Sequence, residues 1–228
     1  MKVSFVIPAL NEEKGIGRTI DKINKEEFKK RGMDVEIIVV DGNSKDATRE
    51  IAKEKGAKII IEPRKGYGRA YKTGLSKASG EIIITGDADA TYPFEIAHEY
   101  VDILLKENLD FITTNRFAGL EKGAMSFKHL IGNLILSLTL RILYGLKIKD
   151  SQSGMWIIRK DAIKKIKNIE EFSDGMAFSE EIKIEMFKKA GAKEIDSFLY
   201  EREGRAKIQS WRDGWNNLIY LFKKRMGE

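Results

Sequence analysis

Cysteine is absent from this 228-residue chain, which excludes a disulfide framework and any thiolate metal site. Glutamine is scarce while Lys, Glu and Ile abound, a balance that leans towards proteins of thermophiles. No internal repeat, low-complexity tract or long linker interrupts the chain. With 42% hydrophobic and 33% charged residues it has the material for a core and no signature of disorder. Met1 runs directly into an apolar stretch, leaving no room for a secretory signal, so the expected location is cytoplasmic. A membrane span is not expected either. Such a span needs about 20 apolar residues; the most hydrophobic stretch, residues 130–146, has Arg141 inside it and Lys128, His129 and Lys147 around it. An interfacial or buried helix fits that segment better.

What is present is an alternating pattern. Short β-branched runs at residues 3–9, 35–40, 58–61, 81–85 and 111–114 read as strands, with helical patterns between them at 13–30, 47–55, 68–78 and 94–107. Strands apolar on both faces and separated by helices predict an α/β fold with a mostly parallel sheet covered on both sides. Gly56 and Gly80 stand where helix-ending glycines are wanted. Beyond Asn115 the alternation stops. A loop over 116–125 leads into the apolar segment, followed by a strand at 155–159, helices at 160–167 and 179–190, a strand at 195–200 and a helix at 211–226. That last helix joins Trp211, Trp215, Leu218, Ile219 and Phe222 to Arg212, Lys223, Lys224 and Arg225, which suits a membrane interface and, equally, packing onto the domain. One domain over 1–228 is expected, divided into a first half (1–115), a second half (116–210) and an amphipathic C-terminal helix (211–228).

In open α/β sheets ligands bind beyond the carboxyl ends of the strands. Four successive strand ends carry polar loops: Pro8-Ala9-Leu10-Asn11-Glu12-Glu13, Asp41-Gly42-Asn43-Ser44-Lys45-Asp46, Arg64-Lys65-Gly66-Tyr67-Gly68-Arg69 and Gly86-Asp87-Ala88-Asp89-Ala90-Thr91. Asp87 and Asp89, two carboxylates at i and i+2 after a buried strand, can share one hard cation, Mg²⁺ or Mn²⁺. That cation can bridge a diphosphate and neutralise the charge of a phosphate leaving group; as a surface turn, the same motif caps the helix starting near Phe94. Asp41 can accept a hydrogen bond from a nucleobase N–H, and Asp46 can cap the helix that follows. The loop at Arg64–Arg69 is no P-loop, because it lacks the Gly-Lys-Ser/Thr ending, but its basic residues can approach phosphates.

Taken in order, Phe5-Val6-Ile7-Pro8-Ala9-Leu10-Asn11-Glu12, Val39-Val40-Asp41 with Ser44, Asp46 and Thr48, and Asp87-Ala88-Asp89 resemble the family-2 glycosyltransferases of GT-A fold. Lys65-Gly66-x-Gly68, Asn115-Arg116, Asp150-Ser151-Gln152-Ser153-Gly154 with Arg159, and Arg202-x-Gly204 with Lys207 are similar to the dolichyl-phosphate mannose synthase group within it, which transfers sugar to a polyprenyl phosphate. The resemblance implies a Rossmann-like GT-A sheet flanked by helices, and a metal-dependent transfer from a UDP- or GDP-sugar. Pro8, Asn11, Glu12 and Asp41 would hold the nucleoside, with Lys65 and Gly66 beside it, and Asp87 and Asp89 the metal and diphosphate. Arg116, Lys128, Ser153, Arg202 and Lys207 would meet acceptor phosphate or donor diphosphate, and Asp150 and Gln152 would lie on the acceptor side near the sugar. Three positions depart from the family: Gly42 where a second acid is common, Thr91 where Gln is common, and Lys128 where Arg is common. A lysine binds phosphate as a point charge, without the fork of arginine.

The family pattern implies inversion of the anomeric centre. A phosphate monoester, already largely dianionic at neutral pH, needs placement more than a base. A saccharide hydroxyl needs a carboxylate base, for which Glu180, Glu181 and Asp150 are the candidates. The basic set Arg116, Lys128, Arg202 and Lys207 favours the phosphate. A lipid acceptor calls for peripheral contact with the cytoplasmic face of a membrane through residues 130–146 and the C-terminal helix. Two readings compete. A nucleotidyltransferase would want a Gly-rich run with Arg and Lys after the first strand, where Pro8-Ala9-Leu10-Asn11-Glu12 stands instead. A nucleic-acid-binding module is prompted by the net charge of +6 but leaves Asp87 and Asp89 without a role, so no nucleic-acid partner is expected.

Overall fold

The computed structural model of the chain describes residues 1–204 and 210–227. Its strands are β1 (Lys2–Ala9), β2 (Asp34–Asp41), β3 (Lys58–Ile61), β4 (Ile82–Thr85), β5 (Phe111–Leu120), β6 (Trp156–Arg159) and β7 (Ala192–Leu199). They make one sheet in the order β3-β2-β1-β4-β6-β5-β7. The first four are mutually parallel, β6 runs antiparallel to both its neighbours, and β5 and β7 are parallel. The mostly parallel sheet expected from the alternation is present, with β6 as its reversed member.

Two-residue periodicity on β1 explains the layering. Phe5 and Ile7 point into one core layer, where Phe5 meets Phe28 and Phe94 edge-on at 5.7 and 5.2 Å between ring centroids. Val6 points into the opposite layer with Tyr71, Trp156 and Phe178. A strand apolar on both faces must be covered on both, and helices supply the cover: α1 (Ile16–Asp21), α2 (Lys25–Lys30), α3 (Thr48–Glu54), α4 (Tyr67–Lys77), α5 (Ala97–Lys106), α6 (Phe127–Tyr144), α7 (Phe178–Lys189) and α8 (Ser210–Gly227). A third cluster joins Leu136 and Leu140 of α6 to Ile184 of α7 and Leu221 of α8.

Local structure departs from the sequence expectation in places. The single helix expected over 13–30 is two, because the Asn24 side chain accepts the Glu27 N–H and starts a new helix there. Strand β5 runs on to Leu120, where a loop was expected from residue 116, because Gly119 and Leu120 find partners on β7. Residues 160–165 form a 3₁₀ turn instead of an α-helix. Gly56 does follow a helix with φ of 81°. Gly80 does not: it is needed because a Cβ there would stand 2.7 Å from the Ser4 hydroxyl and 2.8 Å from the Lys2 carbonyl.

The chain passes from β1 outward to β2 and β3 on one side, then returns to β4 on the other side of β1. The strand order therefore reverses between β1 and β4, and the loops leaving those two strands flank the crevice where α/β sheets take ligands.

Candidate functional site

The loops after β1 and β2 are interlocked. Asn11 sits in the left-handed region with φ of 50°, a conformation Asn tolerates; its N–H donates to the Ser44 hydroxyl (2.8 Å) and its side-chain oxygen accepts from Lys45 N–H (2.7 Å). The Glu12 N–H donates to the Thr48 hydroxyl at 2.7 Å, and the Glu13 N–H to Asp46 at 3.2 Å. Asp46 also accepts the Thr48 N–H at 3.1 Å just before α3, although the helix N-cap itself is Ala47, so the capping role expected of Asp46 is not the one it has. Asp41, at the end of β2, is fully buried. Its Oδ1 accepts from Ser44 N–H (2.9 Å) and Arg49 (3.3 Å), while Oδ2 has no partner among the described residues. A buried carboxylate oxygen with an unused lone pair is a place for an incoming N–H.

The acidic loop after β4 is held from beneath by α1. Ala90 has a φ of 63°, and its N–H donates to the Thr19 hydroxyl at 2.8 Å while that hydroxyl donates to the Gly15 carbonyl at 3.0 Å. Lys22 donates to the Ala90 carbonyl at 2.9 Å and stacks over the Tyr200 ring. Gly15 allows this approach, since a Cβ there would lie 2.7 Å from the Ala88 carbonyl and 2.8 Å from Asp89 Cα. Asp89 Oδ1 accepts from the Thr91 hydroxyl at 2.7 Å. Its Oδ2 accepts from Arg202 Nη1 at 2.7 Å, and the same guanidinium donates to Glu12 at 2.5 Å, leaving its buried Nε unpartnered. Backbone bonds from Tyr200 to Thr91 and from Glu203 to Asp89 lay the segment after β7 along this loop. Burial and the neighbouring Asp89 charge push the Asp87 carboxyl up to about 7, with Arg116 and Arg202 opposing. Two carboxylates that repel one another in a buried position, flanked by two guanidiniums, are a donor set that a divalent cation with a diphosphate fits. Among the described residues no group of three or more acidic or His side chains could hold a metal, so Asp87 and Asp89 are the protein groups that would hold one here.

Opposite lies the loop between α6 and β6. Asp150 is fully buried and takes the Arg116 guanidinium in a fork, from Nε at 2.6 Å and Nη2 at 2.9 Å. Burial works against the charge on Asp150, but the guanidinium outweighs it and holds the carboxyl below its ordinary value. Gln152 donates to Glu180 at 2.6 Å. The second Glu180 oxygen is unpartnered, and burial pushes the carboxyl up to about 8. Lys183, also fully buried, donates to the Ser151 and Ser153 carbonyls at 2.6 Å each, and burial pulls its ammonium down to about 7. The Ser153 hydroxyl is shared with Thr114 at 2.7 Å. Above the loop, Tyr92 accepts the Gly154 N–H at 2.6 Å, and Tyr71 donates to Asp87 at 3.4 Å.

The structure thus brings Glu12, Asp89 and Arg202 into direct contact, joins Arg116 to Asp150 and Gln152 to Glu180, and puts half-buried Pro8 at the end of β1. Lys65 and Lys128 are exposed at the start of α4 and in the first turn of α6. Gly66, with φ of 137°, packs where a Cβ would meet the Asp174 carbonyl at 2.1 Å. Lys207 lies outside the described residues. Thr19, Tyr71, Tyr92 and Lys183 are additions that sequence reasoning missed. Of these only Lys183 carries a signal, a lysine on an otherwise buried helical face, and that is readable only once the face is known.

Residues 4–167 match the family described as Glycosyl transferase family 2. The chain is 35% identical over 229 residues to the low-salt glycan biosynthesis hexosyltransferase Agl6 of Haloferax volcanii, a match covering 96% of this chain and 52% of Agl6. It therefore spans about half the length of that relative. It is 27% identical over 215 residues to the dolichyl-phosphate hexose transferase of the same organism, covering 93% and 89% of the two chains. Among solved structures, glucosyl-3-phosphoglycerate synthase of Mycobacterium tuberculosis, crystallised with Mn²⁺, UDP and glucosyl-3-phosphoglycerate, superposes with a TM-score of 0.74 at 21% identity over 99% of this chain and 80% of that one. This last likeness speaks to the fold.

Proposed function

This chain belongs to glycosyl transferase family 2 and is a glycosyltransferase of GT-A fold, and from that premise we propose that it moves a sugar from a nucleotide-sugar to a polyprenyl phosphate, with inversion at the anomeric carbon. Membership of the family favours sugar transfer over nucleotidyl transfer. The relatives named for dolichyl-phosphate transfer support the acceptor class.

The observation that carries the choice of acceptor is the state of the three carboxylates open to a role as base. Asp150 is locked in its fork with Arg116. Glu180 is fully buried and keeps its proton until about pH 8. Glu181 is buried and accepts from Ser173 N–H at 2.6 Å and Lys224 at 3.2 Å. None is a free base, which suits a nucleophile that arrives already deprotonated, as a phosphate dianion does. Placement then carries the rate.

In this reading residues 1–115 hold the donor and 116–210 the acceptor. Asp41 Oδ2 accepts a base N–H, and the interlocked Asn11 and Glu12 loop holds the ribose side. Asp87 and Asp89 hold Mg²⁺ or Mn²⁺, which when bound neutralises the departing diphosphate. Arg202 exchanges its two carboxylates for phosphate oxygens as the donor enters, and Arg116, kept charged and aimed by Asp150, presents its remaining N–H groups to the acceptor phosphate together with Lys128 and Lys207. Asp150 and Gln152 line the acceptor side, Gln152 being aimed by Glu180. No helix among the described residues is long and apolar enough to cross a membrane. We assign contact with the cytoplasmic face of a membrane to α6 and α8, which expose Phe127, Ile131, Leu138 and Ile142 on one and Trp215, Phe222 and Met226 on the other.

The test is incubation of purified protein with Mn²⁺ or Mg²⁺, a panel of UDP- and GDP-sugars and a short polyprenyl phosphate, followed by mass spectrometry. A lipid-linked sugar that disappears with EDTA is expected. Nucleoside diphosphate release that requires a saccharide instead, with no lipid product, would move the acceptor to a hydroxyl.

A further inference from the structure

A cavity of about 490 Å³ lies between α6 and the β5–β7 edge of the sheet, lined by Phe117, Ala118, Leu134, Arg141, Lys149 and Asp196 among others. Its α6 wall continues into the exposed apolar face of that helix. Leu134, Leu138 and Arg141 follow one another at i, i+4 and i+7, so they form one stripe about 10 Å long. Leu134 and Leu138 are about half exposed, and Arg141 is exposed with no ion-pair partner among the described residues. Lys149 stands at the other wall, with Asp196 3.7 Å from its ammonium. Asp196 also accepts from the Asn115 side chain at 2.7 Å. One carboxylate thus faces two cations, and it is already engaged by Lys149 and Asn115. The uncompensated charge of the cavity belongs to Arg141.

We propose that this cavity seats the headgroup of an anionic phospholipid of the bilayer, its phosphate between Arg141 and Lys149 and its chains along Leu134 and Leu138. The proposal rests on the membrane contact assigned to α6 and goes beyond it, by naming the lipid class and the residues that select it. Apolar stripe and cation follow one another in the order in which a lipid presents chains and headgroup, and Arg offers a phosphate a planar fork. The seat is not the Lys128 position, since Arg141 lies thirteen residues, about 20 Å along the helix, from Lys128; Arg116, flanked by the cavity-lining Asn115 and Phe117, turns its guanidinium to Asp150 instead. The lipid held here takes no part in transfer; it fixes the depth and rotation of α6 at the interface.

Sedimentation of the full chain with vesicles of phosphatidylcholine alone, and with phosphatidylglycerol added, tests this. The wild type is expected to prefer the anionic vesicles. Arg141→Gln should weaken that binding by about fivefold, the effect of one basic residue near an anionic surface. Arg141→Gln with Lys149→Gln should weaken it further, and both variants should bind neutral vesicles as the wild type does. Lys29→Gln, an exposed charge on α2, should change binding by less than about twofold. If the double variant keeps the full anionic preference, or Lys29→Gln weakens it equally, the headgroup seat is wrong while the membrane reading stands. Binding to neither vesicle by the wild type would overturn both. Circular dichroism of each variant separates misfolding from lost contact.

Discussion

Glu180→Gln is the most informative single substitution, because it preserves shape and leaves an amide oxygen to accept the Gln152 bond while removing the titration. The Glu180 carboxyl is pushed from 4.5 up to about 8 by burial. A raised folded-state value means the folded protein holds its proton where the unfolded chain has released it. The stabilising contribution is therefore fully present below about pH 4.5 and is lost as pH rises through about 8. At about 1.4 kcal/mol per pH unit the whole excursion amounts to roughly 5 kcal/mol as an upper bound, and rearrangement around the ionised group lowers it. Lys183, one turn away, contributes the opposite slope between about 7 and its ordinary 10.5, so the quantity to follow is the difference between variant and wild type at each pH. Urea unfolding from about pH 5 to pH 9 should show Glu180→Gln gaining on the wild type with rising pH, by about 2 kcal/mol or more at the alkaline end. Transfer to polyprenyl phosphate at neutral pH should stay within about threefold, since no base is removed, whereas loss of a true general base costs about 10² to 10⁴. Parallel stability curves would refute the raised carboxyl, and a collapse of activity in a folded variant would refute the phosphate nucleophile.

Three further outcomes follow from the site geometry. Arg202→Gln frees Asp89 and Glu12, so Mn²⁺ should bind the donor-free protein about tenfold tighter by calorimetry while kcat falls; unchanged Mn²⁺ affinity would mean that the guanidinium does not compete for the carboxylates. Asp41→Asn keeps its oxygen for Ser44 but offers donors where the base needs an acceptor, and should weaken nucleoside diphosphate binding by about tenfold to a hundredfold with little change in Tm. Gly15→Ala drives a Cβ into the Ala88 carbonyl and Asp89 Cα, and should cost about 1–3 kcal/mol in urea unfolding together with most metal-dependent activity. Wild-type behaviour of that variant would show the acidic loop to be free to move.

Much of the donor side was legible because its determinants are local. The β-branched runs mark β1 to β5, and the loops carrying Asn11, Asp41 and Asp87 follow each strand directly, so knowing that strands run parallel suffices to gather them at one sheet edge. Asn24 was legible in kind but missed in effect: a capping residue within a long amphipathic pattern divides it. The acceptor side was less legible. Nothing at Asp150 or Arg116 announces their fork, and Glu180, Glu181 and Lys183 on α7 look like a solvated charged stretch until α7 is found buried.

By itself the sequence determined which elements form, that the sheet is mostly parallel, and that paired carboxylates stand at the end of β4. These follow from side-chain periodicity and from strand-end placement, both short in range. The tertiary structure alone decided the antiparallel insertion of β6, the extension of β5 along β7, and the contacts that tune the site. Arg202 reaches Asp89 across 113 residues and Glu12 across 190. The raised carboxyls of Asp87 and Glu180 come from burial, and burial is a property of what the rest of the chain packs around a residue, not of the residue's neighbours in sequence.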